Sequence, residues 1–366
     1  MAISWAQALA FRLQRQHLDP IGTASVEDVV RRLAAIQAGE AFATELAVRT
    51  RRQRSEAGEV SEALREGRLI KSFAFRGATH LMTPEEGGIY LALRASARIW
   101  ELPSWQSYYG MAPLDWTALR DVARETLAAG PATVKELVAA IATPPKFRHL
   151  GKILAGNPWG VMKVIAWDGV MSFGPMRGRQ PTFQRLDDNP RWAGVPEAED
   201  AGPRAVEAYL GAYGPATSAH LRYWLGNGLG AGKRLGAWIK GLSDRLAEVD
   251  VEGTAALVRR DDLEQLKAAR AGDAVRLLPA YDQWVLGPGT ADGHIVPAAG
   301  RPLVSRGSQM VVVGGVVRGT WSINDENVEI DWFAGSETPP KREVDAEVAR
   351  LAVILDRRIK VAVQTA

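Results

Sequence analysis

The tetrapeptide Gly-Pro-Ala-Thr occurs twice in this chain, in ETLAAGPATVKELVAAI at residues 125–141 and in AYLGAYGPATSAHLRYWL at residues 208–225. Glycine commonly ends a helix because it adopts a positive φ, and proline tolerates the missing N–H at a helix start. Threonine then caps the helix that follows. Each copy precedes an apolar pattern at helical spacing, so the repeat predicts that one local structure is built twice.

The sequence after each copy has the same order of predicted helices and strands. The first is followed by two helical stretches (147–156 and 157–170) and by alternating, strand-like sequence at 170–186. The second is followed by a helical stretch (233–246) and a shorter strand pair (247–258). Helix, turn, helix and hairpin is the winged-helix order. The alternative is two ordinary helical hairpins whose helices begin with the same kind of cap. The predicted β-hairpins at matching places favour winged helices.

A third unit is predicted near the start of the chain, where residues 25–37 and 40–52 have helical patterns and residues 61–82 end in alternating strands. The last hundred residues are rich in strands and glycine, with Gly314-Gly315 as a hairpin turn and a closing amphipathic helix. We therefore predict an α+β fold of tandem winged-helix units followed by a C-terminal β-rich domain. The predicted domains are residues 1–128, 129–196, 197–270 and 271–366.

Composition limits the function classes. The 366 residues contain no cysteine, which excludes disulfides and thiolate chemistry, and the five histidines lack metal-ligand spacing. We expect no metal, no cofactor and no membrane partner, and a cytoplasmic, nucleoid-associated monomer. The net charge is only +3, but basic runs at residues 48–54, 144–152, 176–180 and 232–234 are typical of a phosphate-binding face.

With these features the chain resembles a known family, the bacterial winged-helix crosslink-repair DNA glycosylases of the AlkZ and YcaQ type. The resemblance is carried by RRLAAIQAGEAFATELAVRTR, SFAFRGATHLMTPEE, LLPAYDQWVLG and VVVGGVVRGTW, in this order and spacing. It implies tandem winged helices around duplex DNA and the removal of purines alkylated at a ring nitrogen.

The family's catalytic signature, Gln-x-Gln or Gln-x-Asp after an apolar helix that would include Leu33–Ile36, implies the catalytic residues. Gln37 fills the first position, Gly39 occupies the second, and Glu40 is the neighbouring carboxylate that would replace the missing partner. A glutamine positions a water and a carboxylate attracts its proton. The alternative is that this polar pair ends one helix and that Glu40 starts the next.

The basic runs and the predicted hairpins supply the candidate DNA contacts. They are Arg51, Arg52, Arg76, His80, Lys152, Arg177, Arg179, Lys233 and Arg234. The leading hypothesis is an N-glycosylase acting on alkylated N7 or N3 purines in double-stranded, damaged DNA, including antibiotic adducts or crosslinks. The rival hypothesis is a non-catalytic winged-helix DNA-binding protein, either a regulator or a shield for lesions.

Overall fold

The structure of the chain, a computed structural model, describes residues 2–226, 231–324, 326–335 and 338–365, with the backbone alone at residues 2, 231–233 and 365. Within these ranges, no helix is long and apolar enough to cross a membrane. The α-helices are α1 (Trp5–Arg15), α2 (Val26–Arg32), α3 (Ala41–Arg49), α4 (Glu59–Arg65), α5 (Pro84–Ala95), α6 (Pro103–Tyr109), α7 (Asp115–Ala128), α8 (Val134–Ile141), α9 (Leu150–Gly156), α10 (Trp159–Trp167), α11 (Ala198–Tyr213), α12 (Ser218–Leu225), α13 (Ala231–Gly241), α14 (Leu263–Ala268), α15 (Gln283–Leu286), α16 (Arg301–Ser305) and α17 (Lys341–Leu355).

The strands form small sheets and one larger sheet. They are β1 (Ala2–Ile3), β2 (Ile36–Gln37), β3 (Ile70–Phe73), β4 (Thr79–Met82), β5 (Ala132–Thr133), β6 (Met171–Phe173), β7 (Thr182–Arg185), β8 (Leu246–Val251), β9 (Thr254–Arg259), β10 (Val275–Leu278), β11 (Gln309–Val313), β12 (Val316–Asn324), β13 (Asn327–Trp332) and β14 (Lys360–Thr365). β3 and β4 pair as an antiparallel hairpin, and β1 pairs parallel to β8 beside β9. The larger sheet has the order β10-β11-β12-β13-β14.

The chain packs as two compact units that are each assembled from separate stretches of sequence. The first unit comprises Met1–Glu62, Val206–Trp224 and Ile239–Ala366, and the second comprises Ala63–Ala205 and Leu225–Trp238. Helices combined with a C-terminal sheet confirm the predicted α+β class. The four domain boundaries and the assignment of winged helices stay predictions.

The repeated tetrapeptide caps a helix in both copies. Thr133 Oγ1 accepts a hydrogen bond from the backbone N–H of Glu136 at 3.2 Å, and Glu136 reciprocates at the N–H of Thr133. Thr217 Oγ1 accepts from the N–H of His220 at the same distance, and the imidazole of His220 replaces the glutamate as the reciprocal acceptor. Both threonines therefore satisfy N–H groups that a helix start leaves without a partner.

The glycines of the two copies act differently. Gly130 has φ of 120°, the left-handed conformation predicted for a residue that ends a helix. Gly214 does not adopt a positive φ, and its peptide bond to Pro215 is cis. A Cβ at Gly214 would lie 2.6 Å from the carbonyl oxygen of Leu210, so a close backbone approach is what requires glycine here.

The alanine of each tetrapeptide joins the hairpin that follows it. Ala132 pairs with Phe183 of β7, the second strand of the β6–β7 hairpin. Ala216 pairs with Leu257 of β9, the second strand of the β8–β9 hairpin. In both copies the tetrapeptide thus starts a helix and pairs with the edge of the hairpin that follows. This pairing joins the two ends of each repeated segment.

The larger sheet forms the core of the first unit. Along β13 buried and exposed residues alternate, so that Val328, Ile330 and Trp332 face one side. Val344, Val348 and Leu351 of α17 recur at helical spacing and pack against that side. The predicted turn at Gly314-Gly315 joins β11 to β12, and both glycines have a positive φ.

A buried ion pair lies at the centre of the first unit. Arg51, two residues after α3, donates two hydrogen bonds to the carboxylate of Asp282 at 2.7 and 2.8 Å. Neither side chain has any exposed surface. Arg51 also donates to the carbonyl of Ala47 at 2.7 Å and to Gln16 Oε1 at 3.3 Å, while Asp282 caps α15 by accepting from the N–H of Trp284. The pair therefore joins the end of α3 to the start of α15.

We expect Arg51→Met to reduce the free energy of unfolding by about 3–5 kcal/mol, because it leaves the carboxylate of Asp282 buried without its charge partner. Urea unfolding followed by circular dichroism measures the loss. The matched control is Lys341→Met in the same unit, which removes an exposed ion pair to Asp345 and should cost at most about 1 kcal/mol. Equal losses in the two variants would contradict a central role for the buried pair.

Candidate functional site

The segment between α2 and α3 carries the predicted catalytic residues. Helix α2 ends at Arg32, so the prediction that it continues through Leu33–Ile36 is wrong. Ala34 takes a left-handed φ of 62°, which a helix interior does not allow, and the chain then forms β2. In β2 and the residue after it, Ile36 and Ala38 are buried and Gln37 between them is only partly buried. Because side chains alternate along a strand, Gln37 points to the opposite side from its neighbours.

Tyr213 of α11 holds this segment from inside the first unit. Its hydroxyl donates to the carbonyl of Leu33 at 2.9 Å and lies 3.4 Å from Gln283 Oε1. The ring has no exposed surface and packs against Gly287, where a Cβ would lie 2.2 Å from it. The ring of Tyr209 packs against that of Tyr213 in a tilted arrangement, with the ring centres 4.8 Å apart, and its hydroxyl donates to the carbonyl of Gly287. The left-handed turn before Gln37 is therefore fixed by buried groups far away in sequence.

Burial raises the pKa of Tyr209 far above its usual range, so this hydroxyl keeps its proton and remains a donor. Such a donor suits the carbonyl that it contacts, because a tyrosinate would leave two acceptors facing each other.

Glu40 caps α3. Its two carboxylate oxygens accept hydrogen bonds from the backbone N–H groups of Phe42 and Ala43 at 3.0 and 2.9 Å. The side chain is exposed, and a carboxylate has about four acceptor positions. Capping therefore fixes the carboxylate in place and leaves acceptor positions for a water.

Two of the predicted DNA contacts are corrected by the structure. Arg51 is fully buried and bonded to Asp282, so it has no surface to offer a phosphate. His80 is 1% exposed, and its ring donates from Nδ1 to the carbonyl of Ala78 at 3.0 Å. Burial, with smaller contributions from Arg94 and Arg76, lowers the pKa of His80 to about 4, so the ring is neutral near pH 7.

The remaining predicted DNA contacts divide between the two units. Arg52, in the first unit with Gln37 and Glu40, is largely buried and paired with Glu59. In the second unit, Arg76, Lys152, Arg177, Arg179 and Arg234 are exposed. Arg177 and Arg179 share the loop between β6 and β7, and Arg177 pairs with Glu136 at 2.7 Å. The side chain of Lys233 lies outside the part of the chain that the structure describes.

Two further cations, missed by the sequence reasoning, lie at the turn of the β3–β4 hairpin. A Cβ on Gly77 would be 3.5 Å from Arg94 Nη2 and 3.6 Å from Lys163 Nζ. Burial lowers the pKa of Arg94 to about 10, and burial together with Arg94 lowers that of Lys163. We call Arg76, Arg94 and Lys163 the hairpin-turn cluster. Arg94 and Lys163 lie on α5 and α10, so no local sequence signal brings them together.

Metal chemistry receives no support from the part of the chain that the structure describes. There, no group of three or more histidine, aspartate and glutamate side chains could hold a metal ion. Gln37 and Glu40 themselves offer an amide, which donates and accepts hydrogen bonds, and a carboxylate, which accepts hydrogen bonds.

Comparison with known proteins identifies the family. A model described as DNA glycosylase AlkZ-like matches residues 30–354. The chain is 36% identical over 358 residues to a Streptomyces sahachiroi protein named interstrand DNA cross-link repair glycosylase, with 96% of each sequence covered. The solved structure of Streptomyces sahachiroi DNA glycosylase AlkZ matches with a TM-score of 0.93 and 34% identity over 100% of both chains. This chain belongs to the AlkZ-like DNA glycosylase family.

Membership confirms the resemblance drawn from the sequence and makes the chain a DNA glycosylase, a hydrolase of N-glycosyl bonds. The AlkZ-like signature positions remain predictions for this chain. At the second of them, Gly39 does not have a positive φ, and a Cβ built there would meet nothing within 4 Å. The first carbon of a side chain therefore fits at Gly39 without backbone strain or a close contact.

The neutral, buried His80 predicts a pH dependence. Its pKa is about 4 in the folded protein and about 6.5 when unfolded, so only the unfolded state takes up a proton between these values. Stability is then fully present above about pH 6.5 and falls by up to about 3 kcal/mol as the pH approaches 4. Thermal unfolding from pH 7.5 to pH 4 measures this loss. His80→Leu should show a shallower fall, and parallel curves for the two proteins would contradict the prediction.

Proposed function

We propose that this AlkZ-like DNA glycosylase hydrolyses the N-glycosyl bond of purines alkylated at N7 or N3 in double-stranded DNA, including antibiotic adducts and interstrand crosslinks. One observation carries the proposal: a relative of nearly the same length, 36% identical, is named for interstrand cross-link repair. We further propose that the protein acts as a monomer at the nucleoid in the cytoplasm.

The chemistry suits a site with few functional groups. A purine alkylated at N7 or N3 is cationic, so its bond to the sugar is already weakened and the base leaves without a proton from the enzyme. The remaining tasks are to stabilise positive charge on the sugar and to direct a water at the anomeric carbon. In our proposal Gln37 positions that water through its amide, from a strand whose flanking residues are anchored in the core.

Glu40 supplies the carboxylate in this proposal. Its cap fixes both oxygens, and the acceptor positions that remain can take a proton from the attacking water and face the developing charge. Glu40 follows Gly39, so the carboxylate reaches the water from one residue further along the chain than the family signature predicts. The open space around Gly39 leaves this path unobstructed.

The second unit supplies the proposed DNA surface. The hairpin-turn cluster of Arg76, Arg94 and Lys163 combines an exposed arginine with two half-buried cations. Desolvation lowers the pKa values of Arg94 and Lys163, because it disfavours their charged forms. A nearby anion would stabilise these charged forms. Arg177 and Arg179 in the β6–β7 loop, with Lys152 and Arg234, add exposed positive charge for contacts with backbone phosphates.

The rival hypothesis from the sequence, a non-catalytic DNA-binding protein that acts as a regulator or a lesion shield, is disfavoured by the family to which the chain belongs. The observation in its favour is that Gly39 has no side chain and that the carboxylate oxygens of Glu40 already accept from α3. The two hypotheses differ in one measurable product, the free base. Incubation with a duplex that contains N7-alkylguanine, followed by chromatography of released base, decides between them. Binding without release supports the rival hypothesis.

We expect Gln37→Ala and Glu40→Ala each to reduce the rate of base release by at least ~10²-fold, the low end for positioned acid–base groups. Affinity for the duplex should barely change, because neither residue is basic. Single-turnover release and duplex binding measure the two effects separately.

Glu40→Ser separates catalysis from capping. Serine is a good N-cap, so this variant keeps α3 stable while removing the carboxylate. Catalysis by Glu40 predicts that Glu40→Ser loses release as severely as Glu40→Ala. Release at the wild-type rate would instead show that Glu40 serves only as a cap.

Gly39→Asp in the Glu40→Ser background is expected to restore part of the lost release. The substitution recreates the Gln-x-Asp signature at a position where an added Cβ meets nothing within 4 Å. The same single-turnover assay measures it, with Gly39→Ala in that background as the matched control. Failure of Gly39→Asp to exceed Gly39→Ala would show that a carboxylate at this position does not reach the reacting water.

A further inference from the structure

An open cavity of about 400 Å³ lies in the first unit between the ends of α1, α2 and α14. Neither Gln37 nor Glu40 lines it. Its polar lining consists of Gln14, Arg15, His17, Arg32 and Gln265. Two guanidinium groups, two amides and an imidazole are all groups that donate hydrogen bonds. No carboxylate is among the residues that line this cavity.

The side chain of Arg32 makes no hydrogen bond or ion pair within the part of the chain that the structure describes, although the residue is only partly exposed. Burial lowers its pKa, and Arg259 lowers it further. Arg32 is the last residue of α2, where a cation interacts favourably with the helix dipole. That effect is worth less than about 1 kcal/mol at a surface and provides no acceptor for the guanidinium donors.

Arg15 is the second cation of the cavity. Its Nε donates to the carbonyl of Gly211 at 2.9 Å, and its Nη1 lies 3.5 Å from Asp262. Burial and then repulsion from Arg32 lower the pKa of Arg15 to about 10. Asp262 is already committed to Arg259, which donates to both of its oxygens at 2.7 and 2.8 Å. The two cations of the cavity therefore repel each other, and Arg15 is compensated in part by Asp262 and by Gln265 Oε1 at 3.4 Å.

The carboxylates near the cavity do not balance its charge. Asp28 pairs with Arg31 and Asp262 pairs with Arg259, so both aspartates that act on Arg32 already have an arginine partner. His17 is held in place by Gly22, where a Cβ would lie 2.7 Å from the imidazole. Burial, then Arg32, Arg51 and Arg15, lower the pKa of His17, so the ring is neutral and adds a donor.

We propose that this cavity is a binding site for a phosphate group, held by Arg32 and Arg15 with His17 and the two glutamine amides as further donors. A tetrahedral oxyanion matches donors that converge from several sides, and it removes the repulsion between the two guanidinium groups. Two sources share this chemistry: a backbone phosphate of duplex DNA and a free phosphate compound. Arg32 is five residues before Gln37, so a duplex phosphate held here would lie on the same connecting segment as the proposed catalytic residues.

Thermal unfolding with inorganic phosphate tests the site without DNA and without catalysis. Phosphate at about ten times its dissociation constant should raise the ratio of folded to unfolded protein about 11-fold over sodium chloride of equal ionic strength. Arg32→Gln should weaken phosphate binding at least ~10-fold, which reduces that gain to about twofold. The matched control is Arg31→Gln, the neighbouring arginine that pairs with Asp28 outside the cavity, and it should keep the full gain.

Titration with undamaged duplex DNA distinguishes the two sources. A duplex phosphate in the cavity predicts that inorganic phosphate competes with DNA. It also predicts that Arg32→Gln reduces the slope of log affinity against log salt by about 0.9, and by more than Arg31→Gln does. A free phosphate compound predicts equal duplex affinities for the two variants, with the loss of phosphate stabilisation confined to Arg32→Gln.

The proposal is overturned if phosphate stabilises the wild-type protein no more than chloride does, or if Arg32→Gln keeps the full gain. Neither result depends on base release. A protein that binds phosphate here but releases no alkylated base would contradict the proposed function alone, and the reverse result would contradict this site alone.

Discussion

The buried pair of Arg51 and Asp282 is the constraint on which the first unit depends. Removing two charges from water costs several kcal/mol each, and attraction repays this only when the geometry is good and the other donors are satisfied. Here Arg51 also donates to Ala47 and Gln16 and Asp282 also caps α15, while Arg51 Nε has no hydrogen-bond partner within the described residues. A shift of either partner would leave a buried charge alone, so the pair selects one arrangement of α1, α3 and α15.

That arrangement extends to the residues proposed for catalysis. Gln283 follows Asp282 and lies beside Tyr213, whose hydroxyl holds the carbonyl of Leu33. Leu33 precedes Ala34, whose left-handed conformation turns the chain from α2 into the strand that presents Gln37. The cost of a non-glycine residue in this conformation is about 1–2 kcal/mol, so the turn persists because the buried hydrogen bonds around it define the path of the chain.

The elements that could be predicted from sequence are those whose causes are local. Thr133 and Thr217 cap helices through residues three positions away, and Gly314-Gly315 forms its turn from its own backbone freedom. Arg51 was misjudged because its environment is not local. Arg51 lies in a basic run typical of a surface, yet its partner is 231 residues away. The end of α2 was misplaced for the same reason, since the bond from Tyr213 spans 180 residues.

The composition of the proposed site follows from how its residues are held. Glu40 is fixed by two backbone N–H groups, so its carboxylate has little side-chain freedom left to lose when a water is positioned. Gln37 lies on a strand between two buried neighbours, which hold its backbone. A cationic leaving group removes the need for a general acid, whose burial would require further compensation. One amide and one capping carboxylate can then suffice, and the glycine between them adds no side chain beside the water. On this argument, Gly39 lacks the second side chain of the family signature and leaves that position open. Glu40 supplies the charge instead, from the position where α3 already requires a cap.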